Sequence, residues 1–214
     1  MPSRVHGRFA ALLAVVVAAV PVVGCGGSSG TDSSAKANDV DRAFVAEMIP
    51  HHQMAVEMSS TAGQSARHPQ IKALASSITS SQRREIAEMK SVAGDLGVKP
   101  DAMQMDGGMK GDMGTMSRNS SKLGIAMDQM GMMMNMSSLD GAKPFDRKFI
   151  DMMIPHHAGA IRMARAELAK GKSPKLRALS RTIVAHQTAE IQKMNSWRTG
   201  WFGGPSPAGG VPKG

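Results

Sequence analysis

Two adjacent histidine pairs, His51-His52 and His156-His157, each close the same string, Met-Ile-Pro-His-His. After each pair the chain repeats Gln-x-x-Glu-Ile, with Gln82 and Glu85 in the first copy and Gln187 and Glu190 in the second. Imidazole ligates copper, zinc, iron and nickel, and a ligating ring is commonly held through its other nitrogen by a carboxylate. The thioethers of Met48, Met58, Met153 and Met163 lie at helical spacing from the histidines, as core residues that could also serve as soft donors. The pattern holds the donor set of a metal site, with Gln82, Glu85, Gln187 and Glu190 as the groups that would orient the ligands.

The copying is extensive. At a constant offset of 105 positions, nineteen of the 54 pairs that start at Asp41 and Asp146 are identical, Phe44, Pro69, Leu74, Ile78 and Met89 of the first copy among them. Four of the seven histidines fall inside it, so the shared part carries polar chemistry as well as core.

Helices must position these groups. Phe44, Val45, Met48, Ile49, Ala55, Val56 and Met58 follow the three-and-four spacing of an amphipathic helix, and Ile71, Leu74, Ile78, Met89, Val92 and Leu96 do so again. Arg67-His68-Pro69 breaks the first copy; Gly171 and Ser173-Pro174 supply a stop and a start in the second. Each copy is a helix, a turn and an antiparallel return helix. One hairpin has nothing to lay its apolar stripe against, whereas two bury both stripes on each other. The predicted product is an all-α four-helix bundle with helices over 39–66, 69–96, 145–170 and 174–200. Pro50 and Pro155 fall in the first helix of each hairpin, where proline either kinks the axis or ends one helix and begins another.

The stripe Phe44, Met48, Ala55, Met58 runs through position 51 and its neighbour through position 52, so both histidines of a pair face the interior. The second copy repeats this with His156 and His157, while Gln82, Glu85, Gln187 and Glu190 interrupt the apolar stripes of the return helices. Buried carboxylates are costly unless paired or bound to a cation. Two accounts meet that demand: a His–Gln–Glu network that fixes how the hairpins pair, or imidazoles and thioethers converging on a metal. His186 and Met152 occur in the second copy alone and Met54 in the first alone, while His68 reads as a solvated loop residue.

Between the copies, residues 98–144 form an insert. Its stretch 103–136 holds eleven of the twenty methionines, spaced by Gly, Asp and Ser. Thioethers this dense, in a chain whose one cysteine is Cys25, select Cu(I) or Ag(I) over zinc or iron. The insert is expected to capture metal; the rivals are a greasy connector or a partner-binding helix over 123–136.

Residues 1–24 have the shape of an export signal, with Arg4 and Arg8 ahead of an apolar run from Phe9 to Val23. Val22-Val23-Gly24-Cys25 resembles a bacterial lipobox, which would make Cys25 a lipidation site. Residues 25–38 then serve as a flexible tether and 201–214 as a disordered tail. With Cys25 the one cysteine, intramolecular disulfides, thiolate metal sites and a cysteine nucleophile are excluded. Setting aside Arg4 and Arg8 lowers the formal charge from +9 to +7, a surplus suited to an anionic envelope surface. Nucleic acid is a poor partner for a chain with no tyrosine and 3% aromatics.

The twice-repeated Met-Ile-Pro-His-His, Pro, Ala-Leu, Ile, Gln-x-x-Glu-Ile and Met resembles the bacterial family "domain of unknown function 305" over roughly 39–97 and 145–199. The resemblance implies a ferritin-like four-helix fold, copper binding in the cell envelope in some members, and no established enzymatic activity. By position it makes His51, His52, Gln82 and Glu85, with His156, His157, Gln187 and Glu190, the motif residues. The first copy's Gln53-Met54 becomes Ala158-Gly159 in the second, so a ligand like Met54 is in doubt there. The expected function is an exported, membrane-anchored copper-binding protein that sequesters or passes on the metal and is not an enzyme. The alternatives are a metal-free structural or interaction domain and a ferritin-like metal oxidase. The oxidase would need Glu-x-x-His motifs, which the chain does not contain.

Overall fold

A computed structural model of the chain describes residues 37–99 and 113–213. The expected signal, Cys25, most of the tether, and Met103, Met105 and Met109 lie outside the described residues. Those described form five α-helices, α1 (Asp39–Ser65), α2 (Pro69–Ala93), α3 (Met113–Leu123), α4 (Phe145–Lys170) and α5 (Pro174–Phe202), with 3-10 turns at Met127–Met130 and Met136–Ser138. They contain no strand. No described helix is long and apolar enough to cross a membrane.

The hairpins are α1/α2 and α4/α5, and they meet chiefly through α1 and α4, while α2 and α5 barely touch. Local chemistry sets the helix starts. Asn38 accepts the N–H groups of Val40 and Asp41 at 2.9 and 3.1 Å, and Asp41 takes the N–H of Asn38 in return, a capping box. At α5, Ser173 accepts from Leu176 N–H ahead of Pro174 in the first turn. Pro50 and Pro155 sit inside unbroken helices, which decides between the two readings of those prolines in favour of continuity. Phe44, Met48, Ile49, Met58, Phe149, Met153 and Met163 are wholly buried, so the stripes face the core as their spacing predicts.

Each hairpin also closes the turn of the other. The Asp41 carboxylate, on α1, accepts the N–H groups of Lys172 and Ser173 at 3.0 and 2.8 Å, in the α4–α5 turn. Asp146, its repeat mate on α4, accepts those of Arg67 and His68 at 2.9 and 2.8 Å, in the α1–α2 turn. The start of α1 thus lies at the end of α4 and the start of α4 at the end of α1, so the two central helices run antiparallel. Burial pushes the Asp41 carboxyl up, but donors from Asn38, Ser173 and Lys172 and the neighbouring Glu167 outweigh it and hold it below its ordinary value.

Three expectations change. His68 lies in the turn ahead of α2 with 37% of its side chain exposed, but it is more than a solvated loop residue: its Nδ1 bonds Asp146, and its ring stacks on Trp201 with centroids 3.8 Å apart. Residues 203–213 do not hang free, because α4 and α5 present polar groups to their backbone. Asn195 bonds Ser206 N–H and Gly209 O, both at 2.9 Å, and Arg165 donates to Pro212 O at 2.8 Å. Within the insert the helix forms at Met113–Leu123 rather than over 123–136. There the apolar face buries Met116 and Leu123, and Asn119 reaches a buried carboxylate on α1.

Candidate metal centre

His51, His52, His156 and His157 have no exposed surface, and Met48, Met58, Met153 and Met163 are equally buried. The antiparallel crossing of α1 and α4 brings His51 and His156 together, with ring centroids 3.7 Å apart and planes tilted by 36°. Their chain neighbours diverge: His51 to His52 is 6.1 Å and His156 to His157 is 6.3 Å. The outer rings each meet the glutamate of their own hairpin, His52 Nε2 to Glu85 Oε2 and His157 Nε2 to Glu190 Oε2, both at 2.7 Å.

The polar accounting does not close. Both ring nitrogens of His51 and of His156, and Nδ1 of His52 and of His157, are buried without a hydrogen bond of good geometry. So are the side-chain amides of Gln82 and Gln187. The backbone of His156 and Met130 beside His51, and that of His51 beside His156, give only weak polar contacts that burial outweighs. Native proteins rarely leave such groups bare, since each costs about 1–3 kcal/mol. Burial drives the pKa values of His51 and His156 well below the ordinary imidazole value and takes His52 to about 3, which keeps these rings neutral. Glu85 moves the other way, to about 7, chiefly through burial, with His186 opposing the rise and Glu190 adding to it. With His52 neutral, the His52–Glu85 contact is a hydrogen bond to a carboxyl poised near neutrality rather than an imidazolium–carboxylate ion pair. An imidazole that donates through Nε2 keeps a lone pair on Nδ1, the form in which histidine ligates.

The expected groups do not all converge. Gln82 and Gln187 are buried beside the glutamates but bond to neither a histidine nor a glutamate. Among the described residues, no three His, Cys, Asp or Glu side chains are gathered closely enough to hold an ion by themselves. What the centre offers is neutral imidazole nitrogen in a methionine-rich interior, chemistry that fits a soft cation such as Cu(I). An open groove by Ser59, Lys72, Ser80 and Arg83 lies apart and contains none of these histidines.

Two features went unseen in the sequence. The insert seals the centre: a Cβ at Gly159 would lie 1.9 Å from the carbonyl oxygen of Met130, and one at Gly131, which has φ +74°, would lie 2.6 Å from Pro155 O. Gly159 stands where the first copy has Met54, so the departure from the repeat is the space that the insert backbone occupies. Glu47 is wholly buried one turn before His51; its Oε1 accepts from Asn119 Nδ2 at 2.7 Å and its Oε2 has no partner. Its spacing of four residues from His51 was the available signal.

The family Domain of unknown function (DUF305) matches residues 41–198. The chain belongs to the DUF305 family. Solved structures agree. CopM in its Cu(I)-bound form shares 32% identity at a TM-score of 0.60, covering 76% of this DUF305 chain and 98% of that one. CopM in its Cu(II)-bound form shares 34% at 0.61, covering 76% and 97%. A DUF305 protein from Streptomyces coelicolor, at 22% identity and a TM-score of 0.62 over 78% and 96% of the chains, shows the fold alone. Among curated proteins, uncharacterized protein L153 of Acanthamoeba polyphaga mimivirus is 44% identical over 51 residues, which are 24% of this chain. The DUF305 chain spans 34% of that relative's length.

Proposed function

We propose that this DUF305 protein binds copper in the cell envelope, sequestering the metal or passing it on, and that it catalyses no reaction. The observation that carries the reading is the His51–His156 contact, two neutral imidazoles with four unpartnered ring nitrogens in a wholly buried, methionine-lined interior. A purely structural layer accounts for His52 and His157, which have their glutamates, but leaves His51 and His156 without a reason to be polar. His51, His52, His156 and His157 would ligate the ion with the thioethers of Met48, Met58, Met153 and Met163. Gln82, Glu85, Gln187 and Glu190 would orient the rings. Nitrogen and sulfur together suit both copper oxidation states, and CopM, the relative with 32–34% identity, is known in Cu(I)- and Cu(II)-bound forms.

The paired hairpins fit a ferritin-like four-helix bundle in which Glu85 and Glu190 each bond the histidine of their own hairpin, and the chain has none of the Glu-x-x-His motifs that a di-iron oxidase would use. The export signal and a lipidated Cys25 would hold the domain at the membrane, and the insert methionines would capture the ion first. Purified mature protein should withdraw Cu(I) from a competing chelator. Joint replacement of His51, His52, His156 and His157 by Ala should abolish that competition. Undiminished binding by the fourfold variant would exclude the bundle site and leave the insert as the copper ligand.

A further inference from the structure

The two halves differ at the seam between α2 and α5. Glu85, on α2, uses Oε2 to bond the buried His52, and its other oxygen, Oε1, lies 3.8 Å from Nδ1 of His186 on α5. Side-chain exposure falls along this line from 56% at His186 to 8% at Glu85 and to none at His52. His186 has no counterpart in the first copy, where the equivalent position is Ser81. The matching contact of the other half, His157 with Glu190, therefore ends at the carboxylate with no histidine beyond it.

The seam itself is lightly packed and polar. The helices that form it barely touch, and Gln82 and Gln187 leave both atoms of their buried amides unsatisfied. Glu85 and Glu190 each hold a carboxylate oxygen 2.7 Å from the buried histidine of their own hairpin, so oxygen donors stand directly against the inner imidazoles. Imidazole and carboxylate oxygen are ligands suited to Cu(II), whereas the thioethers deeper in favour Cu(I).

We propose that His186 and Glu85 form a one-sided portal through which Cu(II) is taken from solvent and delivered to His52. This rests on the copper reading above. The ion would exchange one ligand at a time, imidazole to carboxylate to imidazole, taking the place of the proton between Glu85 and Nε2 of His52, which leaves to solvent or moves to the unpartnered Nδ1. The test uses the mature protein mixed with aqueous Cu(II) alone in stopped flow, following the near-ultraviolet imidazole-to-copper absorption, with affinity measured separately by titration. His186→Ser, which copies the first half, should slow loading about tenfold while leaving affinity unchanged, as expected when a charged or ligating group concentrates an ion at an entrance. Ser81→His should speed loading by about twofold, since a second equivalent route adds to the first. Unchanged rates in both variants, or a loss of affinity in His186→Ser, would overturn the portal. Absence of any histidine-dependent absorption with Cu(II) would also overturn the portal, and a parent protein that in addition fails to compete for Cu(I) would sink the copper reading itself, an outcome separate from these.

Discussion

His51 and His156 are wholly buried with four ring nitrogens lacking a well-formed hydrogen bond, a costly arrangement for a fold without a bound metal. Replacing both with Leu removes the desolvated polar groups while roughly keeping volume. Urea unfolding of the metal-free double variant should give a stability about 1–3 kcal/mol higher than the parent's. Copper should then no longer raise its Tm, as a ligand bound only to the folded state otherwise must. A loss of stability instead would mean that the rings have partners in solution. Their interior position was legible in the sequence, because positions 51 and 156 continue apolar stripes. Which ring of each pair meets the glutamate was not, since successive residues differ by about 100° around a helix and the choice depends on how α1 and α2 pack. Glu167 belongs to this scale too. It is wholly buried beside Asp41, and burial followed by that neighbour raises its pKa from 4.5 to about 8. The folded state therefore holds a proton that the unfolded chain has lost between those values. Stability is full below about pH 4.5 and declines as pH rises toward 8, by on the order of 2 kcal/mol. Glu85 and the buried histidines also titrate in this range, so the check is the difference: in denaturant titrations from pH 5 to 8 the parent should lose more stability than Glu167→Gln.

Among the elements, the insert departs most from what its composition implied. Spaced methionines, glycines and serines read as a loose capture segment, yet Met116, Met130 and Met132 are buried in the core, and among the described residues Met113 and Met133 are the exposed large apolar side chains, at 49% and 52%. Burial on α1 and α4 overrides weak helix propensity at Met113–Leu123, and such tertiary support cannot be seen from the segment itself. The repeat helices behaved otherwise, because three-and-four spacing is a local signal; α1 and α4 end within one residue of the predicted bounds. Gly159→Ala would drive a methyl group into the Met130 carbonyl. It should cost about 1–3 kcal/mol, as overpacking does, and release the 127–131 turn from α4. Faster amide hydrogen exchange confined to that turn would show the displacement; an unchanged exchange pattern would show that the insert is not seated there.

At the scale of the whole molecule, the duplication was plain from the sequence, but the use made of Asp41 and Asp146 was not. Both are identical positions of the repeat, yet each serves a backbone more than seventy residues away along the chain. Asp41→Ala and Asp146→Ala should each cost about 1–3 kcal/mol by leaving turn amides without an acceptor. The sites lie at opposite ends of the α1–α4 pair, so the double variant should lose the sum of the two, read from urea midpoints at constant m-value. Strong non-additivity would contradict their independence. The exchange of aspartates carries one more consequence. Neither half is complete by its own means, because the group that finishes its bend is always donated from across the pseudo-dyad. Two separately expressed pieces, each one hairpin, should therefore recognise each other and reassemble, and a piece left alone should find its missing acceptor in a second copy of itself.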